Sequence, residues 1–353
     1  MKTEVHIDGS LLAFRAAAAG EKRSIKVTKL GSKKSKAFGN RTAFKAYLKG
    51  RNDKLPEEKH AKVTDYKIED VQDPLPVKES LHIAKEIIQY IVSACAADEY
   101  HILLDAEGDT FRHKLATVQQ YKGNRTGKVK PANLQAVKDY LVMHHGAEVI
   151  SDIEVDDEIN IRKYEGAKKW VKDKSVKVIS ASFDKDDLGN RGWSFDFRKE
   201  RGKPLMREPL WISGLGECHW NPKKKSVKGV GRKFLYYQWV GQDSADNYKA
   251  RKLSKKSVGD KGIAEKLDAC TTDAECVQVV ANYFKEWYPE PVSYTSWDGK
   301  DLTRDWVEIS QEYLDLARML RWKGDVVRAE DVYIKMGVDV SEGRLSGESI
   351  PVT

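Results

Sequence analysis

The sequence predicts an α/β fold in which a mostly parallel sheet is followed by a helical region. Three observations carry this expectation. Short β-branched runs recur at "EVHIDG" (4–9), "EYHILLDAEG" (99–108), "AEVIS" (147–151) and "VKVISASFDKD" (176–186), each bounded by a turn or by acids. Stretches with helical spacing separate these runs, the alternation expected of a parallel sheet. From about residue 240 the strand signal fades and helical patterns take over.

Taken in order, the first run is a buried strand ending in Asp-Gly, and "LLAFRAAAA" (11–19) reads as a helix. Residues 20–60 are polar, basic and punctuated by glycine, which reads as loop. The two prolines of "DPLPVKES" (73–80) give way to a helix in which Leu81, Ile83, Ala84, Ile87, Ile88, Ile91 and Val92 fall at helical spacing. A second strand follows at 99–108, and 111–145 reads as mostly helical, interrupted at "YKGNRTGKVKP". The third strand runs into "DIEVDDEI" (152–159), after which 157–172 is again helical. The fourth strand ends in acids. Beyond it, "GIAEKLDAC", "AECVQVVANYFKEWY" and "RDWVEISQEYLDLARMLRWKG" read as helices, and the tail after about 335 as extended. The expected division is a core over 1–235, with a basic insertion at about 21–75, a helical region over 236–335, and a tail over 336–353.

At 353 residues, with 40% hydrophobic and 33% charged residues and a mean hydropathy of -0.61, the chain has the composition of a soluble globular protein. No apolar run approaches the roughly 18 residues of a membrane span. The start lacks the regions of a signal peptide, so a cytoplasmic protein is expected. Cys95, Cys218, Cys270 and Cys276 form no CxxC pair, which leaves zinc without its ligands and predicts reduced structural thiols. The net charge is +8 and the pI about 9.0. Basic residues crowd 22–59, Lys223–Lys233 and Lys249–Lys261. One such cluster is as readily a solvated loop as a binding surface; three tilt the reading towards nucleic acid.

Acids raise the opposite question. In an open parallel sheet, ligands bind at the carboxyl ends of the strands. Here the first strand delivers Asp8, the second Asp105, the third Glu154, Asp156 and Asp157, and the fourth Asp184 and Asp186. One such acid is a helix cap or a turn former; four segments delivering acid to one sheet edge point to a site for hard cations, Mg²⁺ or Mn²⁺. Asp156 and Asp157 also suit a helix's first turn. Asp152 and Glu158 read as solvated neighbours.

"HIDGSLLAFRAA", "ILLDAEGDTFRHKL", "YKGNR", "IEVDDEI", "VISASFDKD" and "GQDSADNY", in this order, resemble the motifs of the 5′–3′ exonuclease and flap endonuclease family, especially its phage-encoded replication nucleases. The resemblance covers roughly 1–20 and 80–270. It implies a PIN/flap-endonuclease-like core with a helical arch at about 111–145, then a helix–hairpin–helix region. It implies one metal site from Asp8, Asp105, Glu154 and Asp156 with Asp157 nearby, and a second from Asp184, Asp186, Asp243 and Asp246. Lys122 and Arg125 match the family's phosphate-contacting pair, although the spacing alone favours an exposed charged helix face. Tyr121 is placed to stack on a terminal base, and Arg112 joins the DNA-binding set. In "SVGDKGIAEKL" (257–267), Ser257 stands where a glycine is usual, Gly259 and Lys261 are in place, and Ala264 opens the next helix. This imperfect match leaves the family's K⁺ site open; Lys255, Lys256 and Lys261 add attraction to a phosphate backbone.

The resemblance thus implies a two-metal, Mg²⁺-dependent 5′ nuclease of phage-type DNA replication. Double-stranded DNA with 5′ ends or flaps, and RNA–DNA hybrids, are its substrates, with replication proteins as further partners and the host cytoplasm as its place. The 21–75 segment has no counterpart in the family pattern. The alternative is a DNA-binding accessory protein with a degenerate nuclease fold. A haloacid-dehalogenase-like phosphatase is excluded because His6 stands where the aspartate nucleophile is required, and a P-loop ATPase because no GxxxxGK[ST] string occurs.

Overall fold

The computed structural model describes residues 1–200, 202–256 and 258–345. It divides into two compact units. The larger comprises Met1–Leu11, Gln89–Lys128 and the chain from His145 on; the smaller comprises Leu12–Ile88 and Val129–His144.

The larger unit is built on a six-stranded sheet. Its strands are β1 (Lys2–Asp8), β5 (Glu99–Asp105), β6 (Glu148–Ile150), β7 (Val176–Ala181), β8 (Gly192–Phe195) and the edge strand Leu210–Ile212. β1 is central, parallel to β5 and to β7; β5 pairs in parallel with β6, and β7 with β8. Only Leu210–Ile212 runs antiparallel. A mostly parallel sheet is therefore present as expected, and its strands read as apolar runs because both faces are covered. Val5, Ile7, Leu103, Ile179 and Ala181 are inaccessible to solvent. The crossover from β6 to β7 is α6 (Val155–Asp173). It lies so close to the sheet that a Cβ on Gly166 would stand 2.3 Å from Val178, so only glycine fits there. Gly9 is confined in the same way, 2.6 Å from Ile102 and from the Leu103 carbonyl, where the chain turns off Asp8.

Helices dominate the carboxyl-terminal part. α7 (Arg232–Val240), α8 (Asp260–Ala269), α9 (Asp273–Trp287), α10 (Trp306–Ala317) and α11 (Ala329–Lys335) enclose an aromatic core with Trp239, Phe284, Tyr288, Trp306, Tyr313 and Tyr333. The division expected at residue 235 falls inside α7. The long helix expected from Arg304 on stops at Ala317, and the chain beyond it is tied by Arg318 and Arg321 to Asp325. The region also holds hairpins that the sequence did not announce, at Glu217–Asn221 with Ser226–Val230, Gln242–Asp243 with Tyr248–Lys249, and Val292–Thr295 with Asp301–Arg304. All four cysteines are buried and free. Among the described residues no helix is long and apolar enough to cross a membrane.

The smaller unit corrects the loop expected over 20–60. β2 (Glu21–Lys29), β3 (Ser35–Phe38) and β4 (Tyr66–Pro74) form an antiparallel sheet in the order β3-β2-β4. α2 (Arg41–Asn52) packs on it through Phe44 and Leu48, which meet Ile25 and Val27. The pattern was there in period two, since buried Ile25 and Val27 alternate with half-buried Ser24 and Thr28 and exposed Lys26. So many charges masked a strand with only one buried face. Asn40 caps α2, its side chain accepting from the Ala43 N–H at 2.8 Å. The remaining helices of the first half are α1 (Gly9–Ala19), α3 (Val77–Cys95) and α5 (Leu134–His145).

The mostly helical reading of 111–145 also needs correction. α4 (Phe111–Leu115) is a single turn, and α5 resumes only at Leu134. Between them lies irregular chain with one 3₁₀ turn at Gly123–Arg125. Gly127 at φ 74° and Pro131 explain why no α-helix spans the interval.

Candidate metal and phosphate site

The sheet register brings the acids together. Asp8 lies beside Leu103 on β5, and Asp105 closes β5 beside Ile150 of β6. Because these strands are parallel, their carboxyl ends share one edge, as do Glu154 and Asp156 at the start of α6 and Asp184 just after β7.

Each carboxylate is fixed by its own local bonds. Asp8 is 3% exposed and accepts from the Leu11 N–H at 2.9 Å and the Ser182 hydroxyl at 3.3 Å. Burial, then the neighbouring Asp105 and Asp184, push its carboxyl up to about 7. Asp105 is exposed and accepts from the Val155 N–H at 2.9 Å, which joins β5 to the start of α6. Asp184 caps the 3₁₀ turn Lys185–Gly189 by accepting from the Asp186 N–H at 2.9 Å. Asp156 and Asp184 are both raised, mainly by burial; Asp8 and then Asp184 add to the shift of Asp156. Asp186 is pushed up to about 7 by burial and by Asp184.

A second group closes on the first. Oxygens of Asp186, Asp243 and Asp246 lie within 4.8 Å of one another. Asp243 shapes the turn by accepting from the Ala245 N–H at 2.6 Å and the Asp246 N–H at 3.2 Å. The Lys185 ammonium bridges the group, 3.0 Å from Asp186 and 2.5 Å from Asp243. Burial alone would raise Asp243, but Lys185 outweighs it and holds that carboxyl low. Asp246 stands at about 6, where burial and its acidic neighbours outweigh Lys122.

"YKGNR" straps onto this turn. The Lys122 N–H donates to the Asp246 carbonyl at 2.9 Å, and the Asn247 amide to the Gln120 carbonyl at 2.9 Å. Lys122 itself sits at φ 54°, a left-handed position that aims its side chain back into the site. Its ammonium donates to Glu154 and lies 3.9 Å from Asp246. Burial would lower Lys122, but Glu154 and then Asp246 outweigh it and keep the amine charged. Arg125 reaches Asp246 at 3.0 Å and the Ala245 carbonyl at 3.1 Å, with its side chain 49% exposed. Neither cation lies on an α-helix; Arg125 closes the 3₁₀ turn. An open cleft of about 330 Å³ borders these groups, lined in part by Asp105, His113, Lys122, Asp152 and Glu154.

Four sequence expectations meet different partners. Asp157 is inaccessible and forms a two-point ion pair with Arg112 at 2.5 and 2.9 Å, while also accepting from the Leu320 N–H. Arg112 is equally buried and donates further to the Arg318 carbonyl at 2.6 Å. Asp157 is therefore part of a buried pair, and Arg112, expected at the DNA, has no exposed surface. Tyr121 is 3% exposed, and its hydroxyl donates to Glu154 at 3.0 Å. It orients a carboxylate and offers no open face for a base. Glu158, expected in solvent, is buried and accepts from Arg162 at 2.8 Å; Asp152 is exposed.

The glycine-rich segment also differs from expectation. Gly259 is the N-cap of α8, which begins at Asp260 rather than Ala264. The residues from Gln242 to Lys256 form a short hairpin and turns, so no helix precedes it there. Ser257 lies outside the described residues. Lys255, Lys256 and Lys261 are exposed.

Sequence reasoning missed three contributors. Lys185 was visible only as the middle letter of "DKD". Gln238 of α7 donates its amide to Asp186. Lys163 of α6 is inaccessible and donates to Asp187 and to the Ser194 hydroxyl, each at 2.7 Å, which anchors the turn that presents Asp184 and Asp186. No spacing rule marks a lysine buried on a helix.

The donor set fits a hard divalent cation. Every candidate ligand is a carboxylate, and the carboxyls of Asp8, Asp156, Asp184 and Asp186 are raised first by burial and then by their acidic neighbours, a cost that a bound cation would relieve. No protein-family model matches the chain, and no curated protein matches it in sequence. Similarity is found to solved structures over most of the chain. A bacteriophage T5 flap endonuclease in a pseudo-enzyme–product complex with DNA and metal ions is 14% identical, with a TM-score of 0.48 over 95% of this chain and 96% of that one. The T5 5′-exonuclease with zinc bound is 16% identical, with a TM-score of 0.45 over 95% and 97%.

Proposed function

We propose that the protein is a structure-selective 5′–3′ exonuclease and flap endonuclease that hydrolyses DNA phosphodiesters with divalent metal. One observation carries this reading. Acids from the ends of parallel strands, Asp8, Asp105, Glu154, Asp156 and Asp184, converge with Asp186, Asp243 and Asp246 around two cations supplied by one strap, Lys122 and Arg125. Asp8, Asp105, Glu154 and Asp156 would hold one Mg²⁺ and Asp184, Asp186, Asp243 and Asp246 a second, with Mn²⁺ able to substitute. Such ions supply charge neutralisation and a more acidic water.

The chain's own groups do the rest. Lys122, held between Glu154 and Asp246, offers a fixed positive charge to a phosphate entering beside both acid sets. Arg125, half exposed, offers a planar donor pair to the same phosphate from the solvent side. Tyr121 and Arg112 keep Glu154 oriented through hydrogen bonds at 3.0 and 3.1 Å. Lys185 shields Asp186 from Asp243 and would compete with a metal for the same oxygens. Gly259 at the start of α8, with Lys255, Lys256 and Lys261 nearby, suits contact with the duplex backbone, with K⁺ binding there as a further part of the reading. Products carry a 5′-phosphate. Removal of RNA primers and a place in phage-type replication in the host cytoplasm belong to the same reading.

The test is paired. Asp184→Ala and Asp156→Ala proteins are expected to bind a 5′-labelled duplex and to leave it uncut with Mg²⁺, whereas the parent chain cuts it and a chelator stops the cutting. Full cleavage by either variant overturns the site. A parent chain that binds without ever cutting favours the accessory-protein alternative.

A further inference from the structure

The smaller unit carries the whole chain's positive charge. It holds 20 Lys and Arg against 11 Asp and Glu, a net of +9, whereas the rest of the chain holds 42 against 43, a net of −1. The excess is concentrated. Between Lys26 and Asn52 there are nine basic residues, Lys26, Lys29, Lys33, Lys34, Lys36, Arg41, Lys45, Lys49 and Arg51, and no acid at all. These residues span the end of β2, the β2–β3 turn, β3 and all of α2, so they share one small folded body rather than a floppy loop.

Most of this charge is unanswered. Arg41 pairs with Asp70 at 2.5 Å, Arg51 donates to the Tyr66 hydroxyl at 3.0 Å, and the Lys36 ammonium sits 4.1 Å over the Tyr47 ring. Among the described residues, Lys29, Lys33, Lys34, Lys45 and Lys49 have no carboxylate within salt-bridge distance, and all five are exposed. Arg41, Lys45 and Lys49 recur at four-residue intervals along α2, where like charges repel. A helix that keeps such a stripe gives up stability, which an external anion restores.

The chemistry of that anion follows from what else the surface offers. α2 spends its apolar side, Phe44 and Leu48, inside the unit. Between residues 26 and 52 only Leu30 and Tyr47 are large hydrophobic side chains left exposed. That is too little apolar surface to enter a membrane or to form an apolar protein interface. Evenly spread, flexible ammonium groups around one exposed aromatic ring suit a phosphate backbone.

We infer that the β2–β3–α2 face of the smaller unit is a sequence-independent docking surface for the phosphate backbone of duplex DNA. The inference rests on the nuclease reading for its choice of DNA, but it concerns residues that take no part in the acid site.

Binding by the full chain to a fluorescein-labelled mixed-sequence duplex, followed by anisotropy in a chelating buffer between about 50 and 200 mM salt, tests it. For the Lys34→Gln/Lys45→Gln/Lys49→Gln variant, the slope of log K against log salt is expected to fall by about 0.9 for each phosphate no longer neutralised, roughly 2–3 in all. The Lys168→Gln/Lys169→Gln/Lys172→Gln variant removes the same charge from α6 and is expected to change the slope by less than about one. Equal falls in both variants, or an unchanged slope in the first, overturn the proposal. So does equally tight capture of labelled poly-glutamate, which would make the face a general acid binder. The metal is chelated throughout, so a chain that never cuts DNA fails the nuclease reading without touching this result.

Discussion

The two units treat charge in opposite ways. In the larger one the candidate ligands are carboxylates, several of them buried, and burial followed by crowding holds protons near neutrality at Asp8 and Asp186. In the smaller one the excess charge is carried mainly by exposed lysines. A buried charge acts strongly on whatever enters its site and on nothing else; an exposed one acts weakly, at a distance, and is screened by salt. On the proposed reading, selecting a bond and gathering a polymer are different tasks that fall to different units.

That contrast can be broken at four points. The largest effect belongs to Asp184→Ala, expected to reduce cleavage by at least roughly 10³-fold in a gel-based assay while leaving the salt slope of binding unchanged. A changed slope would mean that acid and base are not separable. Arg112→Ala strands Asp157 in the interior and should cost about 3–5 kcal/mol in urea unfolding. Loss of DNA affinity at full stability would instead put Arg112 back among the DNA contacts. Lys122→Ala should lower kcat by about 10²–10³-fold with KM little changed, because its charge matters most as the phosphate gains charge. A rise in KM alone would assign it to binding.

The smallest effect is on stability. Asp8 and Asp186, near 7 in the folded chain, bind protons there that the unfolded chain releases at ordinary carboxyl values near 3.8. The folded state thus holds more protons between those values, so these groups make the metal-free protein less stable as pH rises from about 4 to 7. Thermal melts in chelator should show that decline, and saturating Mg²⁺ should flatten it. A metal-free protein that gains stability across this window would remove the crowded-carboxylate account.

Much of the acid site was legible because a parallel sheet converts sequence position into spatial position. A carboxylate written after a β-branched run lands on the same edge as every other one so written, which is why Asp8, Asp105, Glu154 and Asp184 could be read together. What lay outside that rule was less visible. Asp157 and Arg112 are each other's partners across 45 residues, and no local pattern announces a buried pair. Tyr121 looked like a stacking residue because its burial is decided by the strap's path and not by its neighbours in sequence. The smaller unit was hidden by its own lysines, and the interval before Leu134 looked helical because apolar spacing says little where glycine and proline decide the backbone.

The strap has a consequence in time. Lys122 is fastened to the main chain of Asp246, 124 residues further along, and the acids that flank it are gathered from Asp8 to Asp246. During synthesis the strands and helix of the basic face are made long before the Asp243–Asp246 turn. The acid site has no second half until the turn at Asp243–Asp246 has been made. On the proposed reading, a chain cut short before that turn would keep the basic face and lack half of the acid site.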